Sequence, residues 1–443
     1  MRRYFVALVT VTAIHGTYAY GAGYELKEYS ADAMAAAYAG SAATSTDASY
    51  LAYNPASLAS VENWDLSVSA VGIFPGSDAH YSAATTSLGN PTGGSLTPKS
   101  FIGDAPVPEF AIRKRLSDRW AAGLVVTVPW GLSTDYPKNW AGRYYALKTQ
   151  LLTLNAAPTV SYQVSPDLWL AGGLQIEYAK GFLTSAIDLG TLGYLYSVPG
   201  SHPGQQDGVA KFSADGWSTG FNIGAIAKVS ESLTLGVSYR SELEHTLKGP
   251  LSFVLDSQGI GAAIRQRTGL FTNTQARTDL SMPDLVSFGA RDEISDHWTG
   301  LFEVDWTDWN KFRELRVVPA NPVQPDDVTA ANWRNTLFVS AGAEYRSDER
   351  WSFRAGVAYD QSPVPNFTRG PRIPDADRIW VSTGVTYHAS GTTDVKFTVG
   401  RLFNLQTNVT RNQAQLGNSL RGTLVGTTDS NVNVIGLQWV YRG

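Results

Sequence analysis

The 443-residue chain contains no cysteine, which removes disulfide scaffolds, thiol catalysis and the common structural zinc sites in one step. Charge is scarce too: Asp, Glu, Lys and Arg make up 17% of the residues, where a soluble domain carries about 25%. The 35 basic residues are outnumbered by 39 acidic ones, so there is no basic footprint for nucleic acid. Beyond Tyr24 no run of eighteen apolar residues occurs, which excludes a bundle of membrane-spanning helices. Blocks of Ala, Glu, Lys and Leu are missing as well, and coiled coils go with them.

What the chain has in quantity is aromatic and turn-forming residues: 17 Phe, 13 Trp, 21 Tyr, 42 Gly and 21 Pro. Its first residues form a separate unit. Arg2 and Arg3 precede an apolar run over 5–14, and the small residues Ala19 and Gly21 precede Ala22, the pattern of a secretory signal over 1–21. Ten apolar residues make only ~15 Å of helix, half the hydrocarbon thickness, so an anchor is disfavoured.

From residue 63 onward the hydrophobic period is two. Leu170, Leu174, Ile176 and Tyr178 point one way while Ala171, Gly173, Gln175 and Glu177 point the other. Leu233, Leu235, Val237 and Tyr239 alternate in the same way with Thr234, Gly236, Ser238 and Arg240, and the pattern returns at 336–345 and 351–359. Six tight polar turns, near 117–119, 165–167, 230–232, 294–297, 347–350 and 388–392, alternate with long loops at about 75–106, 131–150, 182–216, 247–277, 312–335, 361–378 and 403–430. Six turns and seven loops join fourteen strands. An even count with short turns on one side and long loops on the other indicates an all-β fold, a fourteen-stranded antiparallel transmembrane β-barrel over 63–443 in the outer membrane of a Gram-negative bacterium. Trp120, Trp169, Trp298, Trp351 and Trp439 at strand ends suit an interfacial girdle. A soluble sandwich would need a charged outer face, and the polar positions here are mostly Gly, Ser, Thr, Asn and Gln.

Residues 22–62 do not alternate. They are Ala-rich and include Asn54-Pro55-Ala56, and forty residues cannot hold a core alone, so their expected shelter is the barrel lumen, as a hatch. Catalysis is not expected. Of six histidines, His15 lies in the signal, His80 and His202 in long loops, His245 at a strand end, and His297 and His388 in turns, none on an inward face beside a serine. No Gly-x-Ser-x-Gly, HExxH, P-loop or dinucleotide motif occurs, and neither metal nor cofactor is expected. The inward carboxylates Glu177, Glu303 and Asp305 suit holding a plug and pairing with Arg240 or Arg354. A 40-residue plug argues against an open porin for small polar solutes, the alternative function. Apolar residues in the long loops (Phe182, Leu183, Leu189, Leu192 and Tyr194 in one; Leu251, Phe253, Ile260 and Ile264 in another) argue for a hydrophobic ligand, unless those loops pack only on one another.

Several short motifs, in order, give the chain a likeness. Ala22-Gly23-Tyr24 with Glu28-Tyr29-Ser30, Ala37-Tyr38-Ala39-Gly40, Asn54-Pro55-Ala56, Trp130-Gly131-Leu132-Ser133-Thr134, Tyr239-Arg240-Ser241-Glu242, Met282-Pro283-Asp284 and Ser362-Pro363-Val364-Pro365 with Arg372-Ile373-Pro374-Asp375 resemble the FadL family of outer-membrane transporters for long-chain fatty acids and other hydrophobic compounds. The resemblance runs nearly end to end and departs at the C-terminus, where Arg442 and Gly443 follow Tyr441 instead of a terminal aromatic. It implies fourteen strands and an N-terminal hatch. The fourteen alternating segments are expected to form one monomeric barrel in outer-membrane lipid, and a groove that captures many methylenes releases them only if binding is coupled to movement of the hatch. The implied ligand is a fatty acid, an alkane or an aromatic hydrocarbon.

By the same resemblance Lys180 and Arg334 hold a ligand's carboxylate and Tyr24 reaches the ligand pocket. Simple alternation from Leu170 puts Lys180 on the lipid face, so either a bulge at 179–181 turns it inward or it sits at the rim. The third strand carries Pro129-Trp130-Gly131, where Pro129 cannot donate a ladder hydrogen bond and Gly131 is free to take a positive φ. The family's third strand is kinked beside the hatch and leaves a lateral opening, which implies sideways exit here; the residues alone also allow Pro129 to mark a strand end.

Overall fold

The computed structural model describes residues 23–443; the expected signal over 1–21 lies outside the described residues. Alternating sequence becomes a closed antiparallel wall of fourteen positions. Strand β1 (Trp64–Thr85) pairs with β2 (Ala105–Arg115), and the third position is filled by two pieces in line, β3 (Trp120–Thr127) and β4 (Gly131–Asp135). Long strands β5 (Lys148–Ser165), β6 (Leu168–Asp188) and β7 (Asp207–Lys228) follow. The seventh and eighth positions are also split, into β8 (Leu233–Arg240) with β9 (Leu243–Val254) and β10 (Thr274–Met282) with β11 (Leu285–Glu293).

Next come β12 (Trp298–Thr307) and a loop hairpin of β13 (Glu314–Pro319) and β14 (Asp327–Ala330). The wall resumes with β15 (Thr336–Arg346), β16 (Trp351–Asp360), β17 (Arg378–Ser390) and β18 (Thr393–Asn404), the last continued by the short β19 (Thr407–Arg411). Strand β20 (Thr423–Arg442) pairs with β18 on one side and β1 on the other, from Asp65 opposite Arg442 to Thr85 opposite Thr423, and closes the barrel.

The fourteen positions and the six turns agree with the sequence; the long loops are shorter than expected, because several strands rise past the band of outward apolar residues. β1 runs on to Thr85, β6 to Asp188 and β9 to Val254, and the 312–335 loop contains the β13–β14 hairpin. The faces are inside out relative to a soluble sheet. Leu174 is 60% exposed while its neighbour Gln175 is 1% exposed, so the apolar side meets lipid and the polar side meets the lumen. Trp120 against Tyr162, Trp298 against Tyr345 and Trp351 against Tyr387 pair ring to ring beside the short turns, forming one girdle. At the C-terminus the departure noted above has a structural use: Arg442 bonds Asp394 at 2.7 Å, and Gly443 exchanges backbone bonds with Trp64, so the seam is paired to its end.

Residues 23–61 form helical turns, each started by a side-chain cap: Ser30 for Ala31–Ala35, Asp47 for Ala48–Ala52, and Asn54, followed by Pro55 at the first position, for Pro55–Ser60. Nearly all are buried, and their partners lie on strands around the whole circumference. Lys396 on β18 binds Asp32 at 2.8 Å and Asp47 at 2.6 Å, Arg354 on β16 binds Asp32 at 3.0 Å, and Gln438 on β20 receives Ser30 and the Asp32 amide. Arg113 on β2 donates to the carbonyls of Ser45 and Ser57, and both oxygens of Glu303 on β12 accept from the Ala42 amide. The expected partners of the inward carboxylates are therefore revised. Asp305 holds Lys27 at 2.8 Å and Glu303 holds backbone, while Arg354 pairs with Asp32 and Glu344 and Arg240 caps the Ala52 carbonyl.

Candidate functional site

The third wall position does not simply end at Pro129. β3 pairs with β2 from Phe110 opposite Val126 down to Arg115 opposite Ala121, and the chain resumes as β4, paired with β5 alone among the named strands. Residues 105–109 of β2 thus have no strand on their β3 side. Pro106 and Pro108 lie in this stretch and have no N–H to offer, as suits a strand edge. The edge of the kink is taken instead by the N-terminal segment: the Leu26 amide donates to the Pro129 carbonyl at 2.9 Å and the Gly131 amide to the Tyr24 carbonyl at 2.9 Å. Above, Ile102 bridges Thr134 and caps the interruption. Gly131 is used for close approach, not for a positive φ as its sequence suggested: a Cβ there would stand 2.9 Å from the Leu26 side chain. Trp130 turns inward, 2% exposed, with its amide and carbonyl both held by the Thr153 hydroxyl.

Tyr24 stands where this segment meets the space above. Its ring packs against Trp130, Trp309, Phe312 and Trp333 at centroid distances of 4.7–5.9 Å, and its hydroxyl donates to the Ser281 carbonyl at 2.8 Å. With Leu132, Leu247, Leu280 and Phe312 it lines an inner cavity of about 100 Å³. An outer cavity of about 390 Å³ adjoins it, lined by Leu183, Leu192, Tyr196, Phe212, Leu251 and Phe253 among others, and Arg372 and Arg421 stand on the wall common to both. The apolar residues of the two long loops divide between these tasks: Leu189, Ile260 and Ile264 are buried in the packing of the helices Leu189–Leu195 and Ile260–Thr268, whereas Tyr194 and Leu195 remain exposed.

Below Tyr24 the chain is held by charge. Lys27 lies 3.1 Å from Glu25 and 2.8 Å from Asp305, and its ammonium sits over the Phe338 ring. Burial pushes the Glu28 carboxyl up to about 7, with the Lys27 amide donating to one oxygen while the other has no hydrogen-bond partner. Asn54 anchors the next stretch. Its amide donates to the carbonyls of Ala42, Ala225 and Val237, and its oxygen and Pro55 press on Gly224 of β7, where a Cβ would not fit. Ala56, fully buried, gives its amide to the Asn54 oxygen.

A barrel of this strand number with its bore filled from the N-terminus matches known proteins. The family model "Outer membrane protein transport protein (OMPP1/FadL/TodX)" covers residues 12–442. The chain belongs to this family. Among curated FadL-family relatives, the long-chain fatty acid transport protein of Escherichia coli O6:H1 is 28% identical over 404 residues, covering 86% of each chain, and that of strain K12 is 26% identical, covering 95% of this chain and 96% of the relative. In fold, a FadL homologue from Pseudomonas aeruginosa aligns at a TM-score of 0.86 with 24% identity over 95% of this chain and all of the other, and the toluene transporter TbuX of Ralstonia pickettii at 0.66 with 17% identity over 94% and 98%. The protein is accordingly an outer-membrane transport protein of the FadL family in a Gram-negative bacterium.

The residues that the FadL resemblance assigned to the ligand divide sharply. Tyr24 lines the inner cavity. Lys180 does not: no bulge interrupts β6 at 179–181, so alternation continues, Ala179 faces the lumen and Lys180 is exposed on the outer face between Leu152 and Asp215, one step above the Tyr178–Trp217 aromatic pair. Arg334 also points away. Its neighbour Trp333 takes the inward position, while the Arg334 side chain is 63% exposed, donating to the Ser362 carbonyl at 3.3 Å and lying 4.0 Å from Asp377. The basic residues of the cavity are instead Arg372, Arg411 and Arg421, two of them in the last long loop, where no strand periodicity pointed to them. His245 also differs from expectation: it lies within β9, fully buried and facing the lumen, with Nε2 3.1 Å from Glu177. The strand is broken at 241–242, and across the break the inward parity passes from Ser238 and Arg240 to Leu243 and His245, which carries His245 into the lumen.

Proposed function

We propose that this FadL-family protein takes up hydrophobic compounds, binding them in the two adjoining cavities and releasing them sideways through the wall at the β3–β4 interruption. Residues 22–62 are the hatch in this reading. The observation that carries it is the position of Tyr24: one residue forms cavity wall and, through its carbonyl, completes the kinked strand. A ligand that displaces Tyr24 therefore also removes the edge partner of Pro129–Gly131, and cavity and wall open together. Lateral exit delivers an apolar molecule to lipid without crossing water, where each methylene would cost ~0.8 kcal/mol to expose. Residues 23–61 stand across the bore, which favours this reading over a diffusion pore for polar solutes.

The family consists of transporters, and the protein is read as having no enzymatic role. The buried His245 has a carboxylate partner and an unbonded Nδ1, with no nucleophile bonded to it. It acts as one barrel in lipid. Cells carrying the protein should accumulate a labelled alkyl acid or monoaromatic hydrocarbon several-fold faster than cells with an empty vector, and equal rates for every hydrophobic compound tried would overturn the proposal.

A further inference from the structure

Lys180, on the outer face of β6, is one member of a row. The register places it opposite Asp215 on β7, Asp215 opposite Lys248 on β9, and Lys248 opposite Arg277 on β10. All four are exposed, as is Lys211, which lies four residues above Asp215 on the same face of β7. Other cations on this side already have partners: Lys148 lies 3.0 Å from Asp135, Lys311 2.5 Å from Asp284, and Arg316 2.6 Å from Glu314. Among the described residues Lys180, Lys211, Lys248 and Arg277 form no ion pair. Asp215 is a single carboxylate among three cations. The next exposed acids, Asp279 and Glu244, stand one and two steps further down, and Asp279 accepts from the Thr246 hydroxyl at 2.8 Å.

The height of the row decides what can meet it. Beneath it the outer face is aromatic and apolar: Trp217 is 67% exposed and packs on Tyr178 with ring centroids 5.2 Å apart, and Leu174 and Phe221 are exposed below. An outward aromatic pair at the end opposite the short-turn girdle marks the outer edge of the hydrocarbon. The row lies two residues higher, about 7 Å along the strand, in the head-group layer. Like charges directly opposite one another on neighbouring strands repel, so Lys248 beside Arg277 calls for an anion between them. This character belongs to one side of the barrel only, since on the closing seam Asp78 stands opposite Asp429.

We propose that this row is a docking surface for the phosphate groups of lipopolysaccharide, the phosphorylated glycolipid of the outer leaflet. Arg277 offers phosphate oxygens a planar fork of donors, and the lysines offer mobile point charges at the ends of flexible stems. The acyl chains of the same molecule lie down the face of Trp217, Phe221 and Leu174. The site also has a structural use. Lys248 and Arg277 stand just above the breaks at 241–242 and 283–284, where the seventh and eighth wall positions are interrupted, and a head group bound from β6 to β10 braces the upper pieces. The proposal rests on the placement of the barrel in the outer membrane and is independent of the uptake reading.

The test titrates delipidated full-length protein in neutral detergent with three probes: bisphosphorylated lipid A, the same lipid without its phosphates, and phosphatidylglycerol. The unaltered protein should bind bisphosphorylated lipid A at least tenfold more tightly than either of the others, and that lipid should raise the temperature of its gel-mobility shift. The combined change Lys180→Gln, Lys248→Gln and Arg277→Gln should remove both effects, whereas Arg346→Gln with Arg350→Gln, exposed at the short-turn end, should keep them. Equal binding of the two lipid A forms by the unaltered protein overturns the site, and this arm needs no variant to fold. A triple variant with native gel mobility and an undiminished preference overturns it as well. Phosphatidylglycerol bound as tightly as bisphosphorylated lipid A would make the row a general attractor of anionic lipid and overturn lipopolysaccharide as its partner.

Discussion

Two stretches of the same wall are built in opposite ways. At the closing seam, β1 and β20 run side by side from Asp65 and Arg442 to Thr85 and Thr423, with a single register shift near Tyr81, and Gly443 extends the pairing past the last strand residue. At the third position β2 loses its partner above Phe110, two prolines occupy its edge, and the kink at Pro129 is completed by residues 24–26 rather than by a strand. A ladder closed by two long neighbours can open only if many bonds break together. One completed by a three-residue piece of a separate segment opens when that piece moves. The wall is thus uniform in appearance and uneven in strength, and the weak stretch is the one that touches the cavity.

Giving the weak stretch the character of the seam should have the largest effect. With no native cysteine to interfere, cysteines at Val107 and Pro129, the pair that the β2–β3 register reaches if extended, can be joined by a short bifunctional thiol reagent. Uptake should fall more than tenfold on bridging, with ligand binding to the purified protein retained; unimpaired uptake in the bridged barrel would return the route to the axis.

The opposite manipulation is to weaken the anchored part of the bore. Lys396→Met leaves Asp32 sharing only Arg354 and leaves Asp47 buried without its cation, and should destabilise the protein by ~3 kcal/mol, read as a lower temperature for the gel-mobility shift. A change confined to uptake would mean that this half of the segment moves too. Tyr24→Ala, in contrast, should cut uptake several-fold while shifting that temperature little, because it removes ring contacts at the weak stretch and leaves the Lys396 and Arg354 anchors intact. Loss of both in proportion would make Tyr24 a structural plug residue only.

The smallest effect is expected from pH. The Glu28 carboxyl is raised to about 7 by burial, so the packed segment keeps a proton that an unpacked one, at ~4.3, has lost. Its contribution to packing is complete below ~4.3 and is lost as pH rises through 7. The mobility-shift temperature should therefore fall between pH 5 and 8, and Glu28→Gln should flatten the fall; an unchanged slope in Glu28→Gln would assign the dependence to other groups.

Period-two alternation made the wall legible because its lipid-facing band is apolar, and parity from Leu170, uninterrupted by a bulge, puts Lys180 on the outer side one step past the Tyr178–Trp217 pair. Pro129 marked the interruption, and Pro106 and Pro108 on β2 would have marked its other edge. What fills that edge was not legible, since the pairing of Tyr24 and Leu26 with the kink joins residues more than a hundred positions apart through backbone groups that carry no sequence signal. Arg411 was hidden for a similar reason. Its Nη2 has no hydrogen-bond partner among the described residues, which only the folded loops reveal.

Amide hydrogen exchange of the purified protein, with and without a saturating hydrophobic ligand, tests the unequal wall most directly. Protection at Leu26 and Gly131, whose amides hold the N-terminal segment to the kink, should drop when ligand binds, while amides along the β1–β20 seam keep theirs. Unchanged or increased protection at Leu26 and Gly131 in the ligand-bound protein would contradict the coupling of cavity and wall.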